Sequence, residues 1–482
     1  MNLSRCSWAL GLIAAAAIVV TPIVLVTLGS QQPDPDPWSN VPERPPQTDH
    51  SDLLPGPYES GEDVTAACLA CHPDAAGQVM GTEHFTWLSE PVEIDGEVVR
   101  IGKANQINNY CIGVQGNWQR CATCHAGYGW EDETFFETAT ETNVDCLVCH
   151  AGGGTYAKGA FGYPAAEVDL AAAAQSVGTP SRENCGSCHF YGGGGNGVKH
   201  GDLDQSLTFP TADIDVHMGQ HDFQRVDCHT TTDHQISGHS ISVSVENTDA
   251  IACTDCHTGD VHVDDRIDAH TAAVACQTCH IPQGAVRDAT KTHWDWSQAG
   301  DPDREEHPHE YLRIKGEFVY ESNFTPEYAW FNGTADRYLL GDLMDPNVST
   351  PINMPLGDIN DPTAQIWPFK VHRAIQPYDD VNNILLQPKT VGEGGYWENF
   401  NWDLALTLGS EIAGLEYSGS YGFAPTEMYW HLTHMVVPGE QALQCADCHS
   451  ENGRLDWQAL GYFGDPIYWG GRDTVQTGEG GQ

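Results

Sequence analysis

Seven Cys-x-x-Cys-His motifs constrain this 482-residue chain more than any other feature: Cys68–His72, Cys121–His125, Cys146–His150, Cys185–His189, Cys253–His257, Cys276–His280 and Cys445–His449. At the chain's Cys and His frequencies, chance predicts only ~0.03 of them. The spacing is that of c-type haem attachment, in which two thiols form thioethers with the vinyl groups and the adjacent His ligates iron. A zinc ribbon or a disulfide framework would not require His after every second Cys. Cys68, Cys71, Cys121, Cys124, Cys146, Cys149, Cys185, Cys188, Cys253, Cys256, Cys276, Cys279, Cys445 and Cys448 are therefore read as covalent anchors. His72, His125, His150, His189, His257, His280 and His449 are read as proximal ligands. Haems used as core weaken amphipathic periodicity, so the expected class is mainly α and irregular, with little β.

Residues 8–28 are apolar after a start carrying Arg5, which reads as a secretory signal or membrane anchor within residues 1–30. Export agrees with covalent haem and puts the protein in the periplasm or another extracytoplasmic space, with anchorage in the cytoplasmic membrane as one form. Residues 31–60 hold eight prolines and form an extended linker. The haem body is expected over 61–482. Its parts are a haem-rich stretch (61–280), a wrapping segment without motifs (281–444), and a last haem with a tail (445–482). Ile241–Val245 and Phe318–Tyr320 are strand candidates. Ala165–Ser176 and Glu427–Met435 are helix candidates.

Three cysteines lie outside the motifs: Cys6 in the export segment, Cys111 and Cys228. One reading joins Cys111 and Cys228 in a disulfide. The other starts from Arg225-Val-Asp-Cys228-His229, which lacks only the first Cys of an eighth motif. One thioether from Cys228 with His229 on iron would hold that haem. Eight proximal ligands leave fifteen of the 23 histidines. The distal candidates are His84, His200, His217, His234, His262, His270 and His434. His221, His239, His293, His372 and His431 are ambiguous, and His50, His307 and His309 read as solvated. Lys199, in a Gly-rich run, would ligate iron if deprotonated, but spacing alone favours its pairing with Asp202 or a haem propionate. Lys158 is a second candidate.

The chain also resembles the octahaem cytochromes of the tetrathionate reductase type. The resemblance rests on Asn108-Asn-Tyr-Cys111, Gly127-Tyr-Gly-Trp130, Gly-Val-Lys199-His200-Gly-Asp and Asp268-Ala-His270. Further on it rests on Trp294-Asp-Trp-Ser, Ala335-Asp-Arg-Tyr-Leu-Leu-Gly-Asp342, Pro368-Phe-Lys-Val-His-Arg373, Tyr417-Ser-Gly-Ser-Tyr-Gly-Phe, Glu427-Met-Tyr-Trp430 and Thr433-His-Met435. It implies eight haems, seven with two His ligands and one ligated by Lys in a substrate cavity. It further implies reduction of tetrathionate, with nitrite and hydroxylamine as other substrates. Carried over, Lys199 would ligate the haem at Cys121/Cys124, and Cys111 would line the cavity beside Asn108 and Asn109. Arg225 departs from the pattern, which has Cys there.

On this reading a quinol-linked or small-cytochrome donor feeds electrons through the bis-His haems to the distinct one. Asp202 is the candidate proton source, and Cys111 would act on sulfur substrates as a thiolate. The competing reading is a membrane-tethered electron conduit without catalysis; hydroxylamine oxidation is a third. The formal charge of −46, from 21 Lys+Arg against 67 Asp+Glu, argues against a nucleic-acid partner and suggests a salty medium. It also means that an anionic substrate needs a locally positive path, for which Arg120, Lys370 and Arg373 are candidates.

Overall fold

The computed structural model describes residues 37–477 other than 45, 95, 247 and 260. The apolar stretch at 8–28 and Cys6 lie outside the described residues. Among the described residues no helix is long and apolar enough to cross a membrane. The chain divides into two compact units: Met1–Pro42 with Ala252–Asp268, and Glu43–Ile251 with Ala269–Gln482. The first carries the Cys253–His257 motif on a single 3-10 turn, Cys253–Asp255, and Asn40 Nδ2 donates to the Cys256 carbonyl at 3.2 Å.

In the second unit the motifs sit on short helices, among them α1 (Cys146–His150), α2 (Arg182–His189), α3 (Arg225–Cys228) and α4 (Cys276–His280). Side-chain caps start two of them: Asp145 accepts from Val148 N, and Ser181 accepts from Asn184 N. The helix expected over Ala165–Ser176 is confined to Leu170–Gln175, where Asp169 caps Ala171 N and Ala172 N.

The segment expected to wrap the body in loops and short helices instead builds a mixed nine-stranded sheet, so the mainly helical fold class is corrected. Its strands are β1 (Thr290–Asp295), β2 (Tyr311–Leu312), β3 (Gly316–Glu321), β4 (Glu327–Phe331), β5 (Ala335–Arg337), β6 (Thr350–Pro355), β7 (Gln365–Asp379), β8 (Ile384–Leu385) and β9 (Tyr421–His431). The order is β2-β3-β1-β7-β9-β6-β5, and β4 and β8 also pair with β7. The central pair, β7 and β9, runs antiparallel from Phe369↔His431 to Asp379↔Tyr421.

Along β9, Ala424, Thr426, Met428 and Trp430 are buried and their neighbours are half-buried. That is the period of two of a strand with one face on a core. It overrides the helix expected over Glu427–Met435. Phe318–Tyr320 does lie in a strand, β3. Ile241–Val245 does not: it forms turns, and side chains satisfy its carbonyls, Arg337 Nη1 donating to Ser242 O at 2.7 Å and Asn353 Nδ2 to Ile241 O at 2.9 Å.

The alternation of β9 makes a direct prediction. Ala424→Asp puts an unpaired charge in the core and should cost several kcal/mol, seen as lost soluble yield and lost protease resistance. Glu427→Gln, on the other face, should stay within about 0.5 kcal/mol.

Candidate functional site

Histidines of the second unit meet in opposed pairs. Ring centroids are 6.2 Å apart for His84–His189, 6.5 Å for His150–His234, 6.3 Å for His229–His434 and 6.2 Å for His270–His449. Two imidazoles on opposite sides of one metal, with bonds of ~2 Å, put their centroids roughly 6 Å apart. A bare ion gathers three or four ligands instead, and among the described residues no group of three or more His, Cys, Asp or Glu closes on a point.

The second nitrogen is also accounted for. Nδ1 of His150 meets Gly178 O at 2.8 Å, Nδ1 of His229 meets Ser237 O at 2.9 Å, and Nδ1 of His449 meets Asp465 at 2.6 Å. Nδ1 of His434 meets Asp202 at 3.1 Å. Such bonds select the tautomer with Nε2 as the free base. Burial holds His84, His150, His189 and His234 below the usual imidazole range and pushes His229 down to about 4, keeping them neutral as iron requires. These donor sets fit haem c. In the first unit His262 follows the same pattern, its Nδ1 2.8 Å from Asp268.

His125 departs from it. Its Nε2 is bonded to the Phe85 carbonyl, its Nδ1 has no partner, and the rings of Phe85, Trp87, Trp130, Phe135 and Phe136 surround it. Nearby is the buried Lys199, whose electrostatic neighbours are Lys103, Cys111, Cys124 and Cys121. Burial and Lys103 push its amine down to about 8. The Gly-rich run makes room for this side chain: a Cβ on Gly193, at φ +81°, would lie 3.0 Å from Lys199 Cγ and 3.1 Å from Tyr110. Lys158 is committed elsewhere, with Asp145 at 2.7 Å and the carbonyls of His125 and Gly127.

The loop carrying Cys111 lies across one face of β7 and β9. Asn109 is fully buried; its Nδ2 donates to His372 O at 2.8 Å, and its Oδ1 accepts from Gln376 at 2.8 Å and Thr426 at 2.9 Å. Asn108 closes the loop on itself, accepting from Tyr110 N and donating to Ile112 O. Tyr110 OH and Lys370 Nζ donate to the Lys199 carbonyl at 2.9 and 2.6 Å. Both asparagines thus act through the loop that positions Cys111.

Asp202 is buried and accepts from Thr433 N, His434 N and His434 Nδ1. Burial raises its carboxyl, but the His434 hydrogen bond and charge outweigh that and hold it below the usual carboxylate range. Its visible work is to orient His434. Cys111 and Cys228 are not joined to each other.

The positive charge sits deeper than the sequence suggested. Lys370 is buried, and Arg373 is held bidentately by Glu327 at 2.7 and 2.9 Å, leaving exposed Arg120 of the three named candidates. Of the chain's seven lysines, however, Lys199 and Lys291 are electrostatic neighbours of Cys111, Lys103 neighbours Lys199, and Lys315 and Lys370 neighbour Lys291; burial holds the amines of Lys291 and Lys370 well below their usual range. Lys291 Nζ lies 3.4 Å from the Trp294 ring centroid and 3.5 Å from that of Phe318. Lys291 was missed by sequence reasoning, where only the scarcity of lysine could have singled it out. His372 stood among the ambiguous histidines, and Tyr110 and Trp430 lay in motifs of the resemblance with no role given to them. His200 stands edge-on to Trp430 at 4.7 Å, and His217 lies 5.8 Å from Phe223.

Asn109→Ala removes a donor and an acceptor from three buried partners and should cost about 3 kcal/mol. The expected result is a lower thermal midpoint with the haem count unchanged. An unchanged midpoint with lost turnover would instead put the amide on substrate.

A family model for bacterial cytochrome c matches residues 291–452. The crystal structure of an octahaem cytochrome c from Shewanella oneidensis is 50% identical, covering 87% of this chain and 98% of its own, with a TM-score of 0.82. An uncharacterised protein of Archaeoglobus fulgidus is 24% identical over 243 residues, 40% of this chain and 82% of that protein.

Proposed function

The chain belongs to the octahaem c-type cytochromes, and on that premise we propose that it is an exported reductase of tetrathionate and/or nitrite and hydroxylamine. As a multihaem cytochrome it is a redox protein that binds haem c. The finer reading has eight haems, the eighth held at Cys228, with electrons arriving from a quinol-linked or small-cytochrome donor. Residues 8–28 would direct export and, if retained, tether the protein to the cytoplasmic membrane.

One observation carries the reductase over a conduit. At the Cys121/Cys124 motif the histidine turns its Nε2 to the Phe85 carbonyl, and the buried Lys199 amine has both motif cysteines as electrostatic neighbours. Lys199 would then be the iron ligand and His125 a structural residue, leaving a coordination position for substrate. When bound, this haem supplies electrons and an exchangeable iron site. The protein's own part is to hold that site with Lys199 and to present the Cys111 thiol next to it. Lys103, the cationic neighbour of Lys199, would draw anions toward the site of a strongly acidic chain. Tetrathionate cleavage to two thiosulfates takes two electrons. Asp202 serves mainly to orient His434.

Two measurements test this. Lys199→Ala should change the paramagnetic resonance of one haem, keep the mass count at eight, and lower turnover by more than the 10–100-fold typical of outer-shell changes. A wild-type spectrum showing only six-coordinate bis-His haems, unmoved by nitrite or hydroxylamine, would leave the conduit. Lys103→Gln should raise KM for tetrathionate and nitrite roughly tenfold, ~1.4 kcal/mol. It should leave hydroxylamine, neutral near pH 7, unaffected.

A further inference from the structure

At the degenerate eighth motif, the geometry expected of a haem site is intact. His229 and His434 face each other at 6.3 Å with their planes 17° apart, and each Nδ1 is held, by Ser237 O and Asp202. The turn between them and the missing cysteine is also clamped. Asp227 accepts from Gln224 N at 2.7 Å and takes a bidentate pair from Arg44, at 2.8 and 2.5 Å. Arg44 comes from the segment read as a linker, so that segment grips the turn of this motif.

Arg225 occupies the first cysteine's position and points inward. Its guanidinium carbon lies 4.9 Å from the Phe190 ring centroid, and its Nε and Nη2 are closed to solvent with no hydrogen-bond partner. A guanidinium keeps its charge, so burying it with two unpaired donors costs several kcal/mol. The carboxylates around it are committed. Asp202 serves His434 and Thr433, Asp215 accepts from Met218 N and Val436 N, Asp222 pairs with Arg182, and Asp227 pairs with Arg44. Arg225 is also an electrostatic neighbour of Cys185, an anchor of the adjoining motif. Each of these carboxylates already has other partners, and a haem bound beside Arg225 would bring two further carboxylates.

We propose that the haem at Cys228 and His229 is held by one thioether and one ion pair: Arg225, in place of the missing cysteine, binds a haem propionate, and one vinyl group stays unsaturated. This rests on the eighth haem proposed above. The Cys228 thiol adds across one vinyl double bond, sulfur to one carbon and proton to the other, with no electron gained or lost. A buried cation beside this haem favours its reduced state and raises its midpoint potential.

The test uses the holoprotein. A peptic haem peptide spanning 225–229 should give a pyridine haemochrome band to the red of the seven two-thioether peptides, and Arg225→Cys should move it to the two-thioether position. In an electron paramagnetic resonance redox titration, Arg225→Gln should lower the potential of one haem, and Arg225→Lys should retain most of it. Eight haems with potentials unmoved by Arg225→Gln would overturn the ion pair alone. A wild-type band at the two-thioether position would overturn the single thioether. A count of seven, with Cys228 free of haem, would overturn the eighth haem and this inference together.

Discussion

Opposed imidazoles roughly 6 Å apart are the contacts on which the second unit depends. Each joins segments distant in the chain: 84 with 189, 150 with 234, 229 with 434, and 270 with 449. Short motif helices of four to eight residues could not stand alone in water, because a helix so short does not repay its nucleation. Covalent anchorage at the cysteines and ligation across each pair, as proposed, would supply what propensity does not. The Nδ1 bonds of His150, His229, His434 and His449 fix the ring orientation in these pairs.

The sheet is the second support, and it is what distinguishes one motif from the rest. β7 and β9 present Lys370, His372, Thr426 and Trp430 on the face that receives the Asn109–Cys111 loop. Tyr110 and Lys370 in turn hold the Lys199 carbonyl. The surroundings of Cys111 are thereby assembled from separate stretches of chain, with Lys199 and Lys291 as its electrostatic neighbours.

Much of the site was legible in sequence for a local reason. Thioether chemistry needs two thiols and an imidazole within five residues, so attachment is written in contiguous letters. Distal ligands were legible as an inventory, and His84, His234, His270 and His434 do face motif histidines. The sheet was missed because the expectation of a haem core was extended to 281–444, although Ala424, Thr426, Met428 and Trp430 alternate there plainly. The distinct surroundings of His125 were not legible because its motif is indistinguishable from the others; only its aromatic neighbours and the Phe85 carbonyl set it apart.

By itself, then, the sequence determined which cysteines can bind haem, how many histidines are available, and that Arg225 breaks one motif. Tertiary structure decided which histidines oppose one another, which motif histidine turns to a backbone carbonyl, and which buried lysines neighbour Cys111. The division follows range. Covalent attachment depends on neighbours in the chain, whereas axial pairing, burial and electrostatic convergence depend on residues brought together only by packing the sheet against the motif helices.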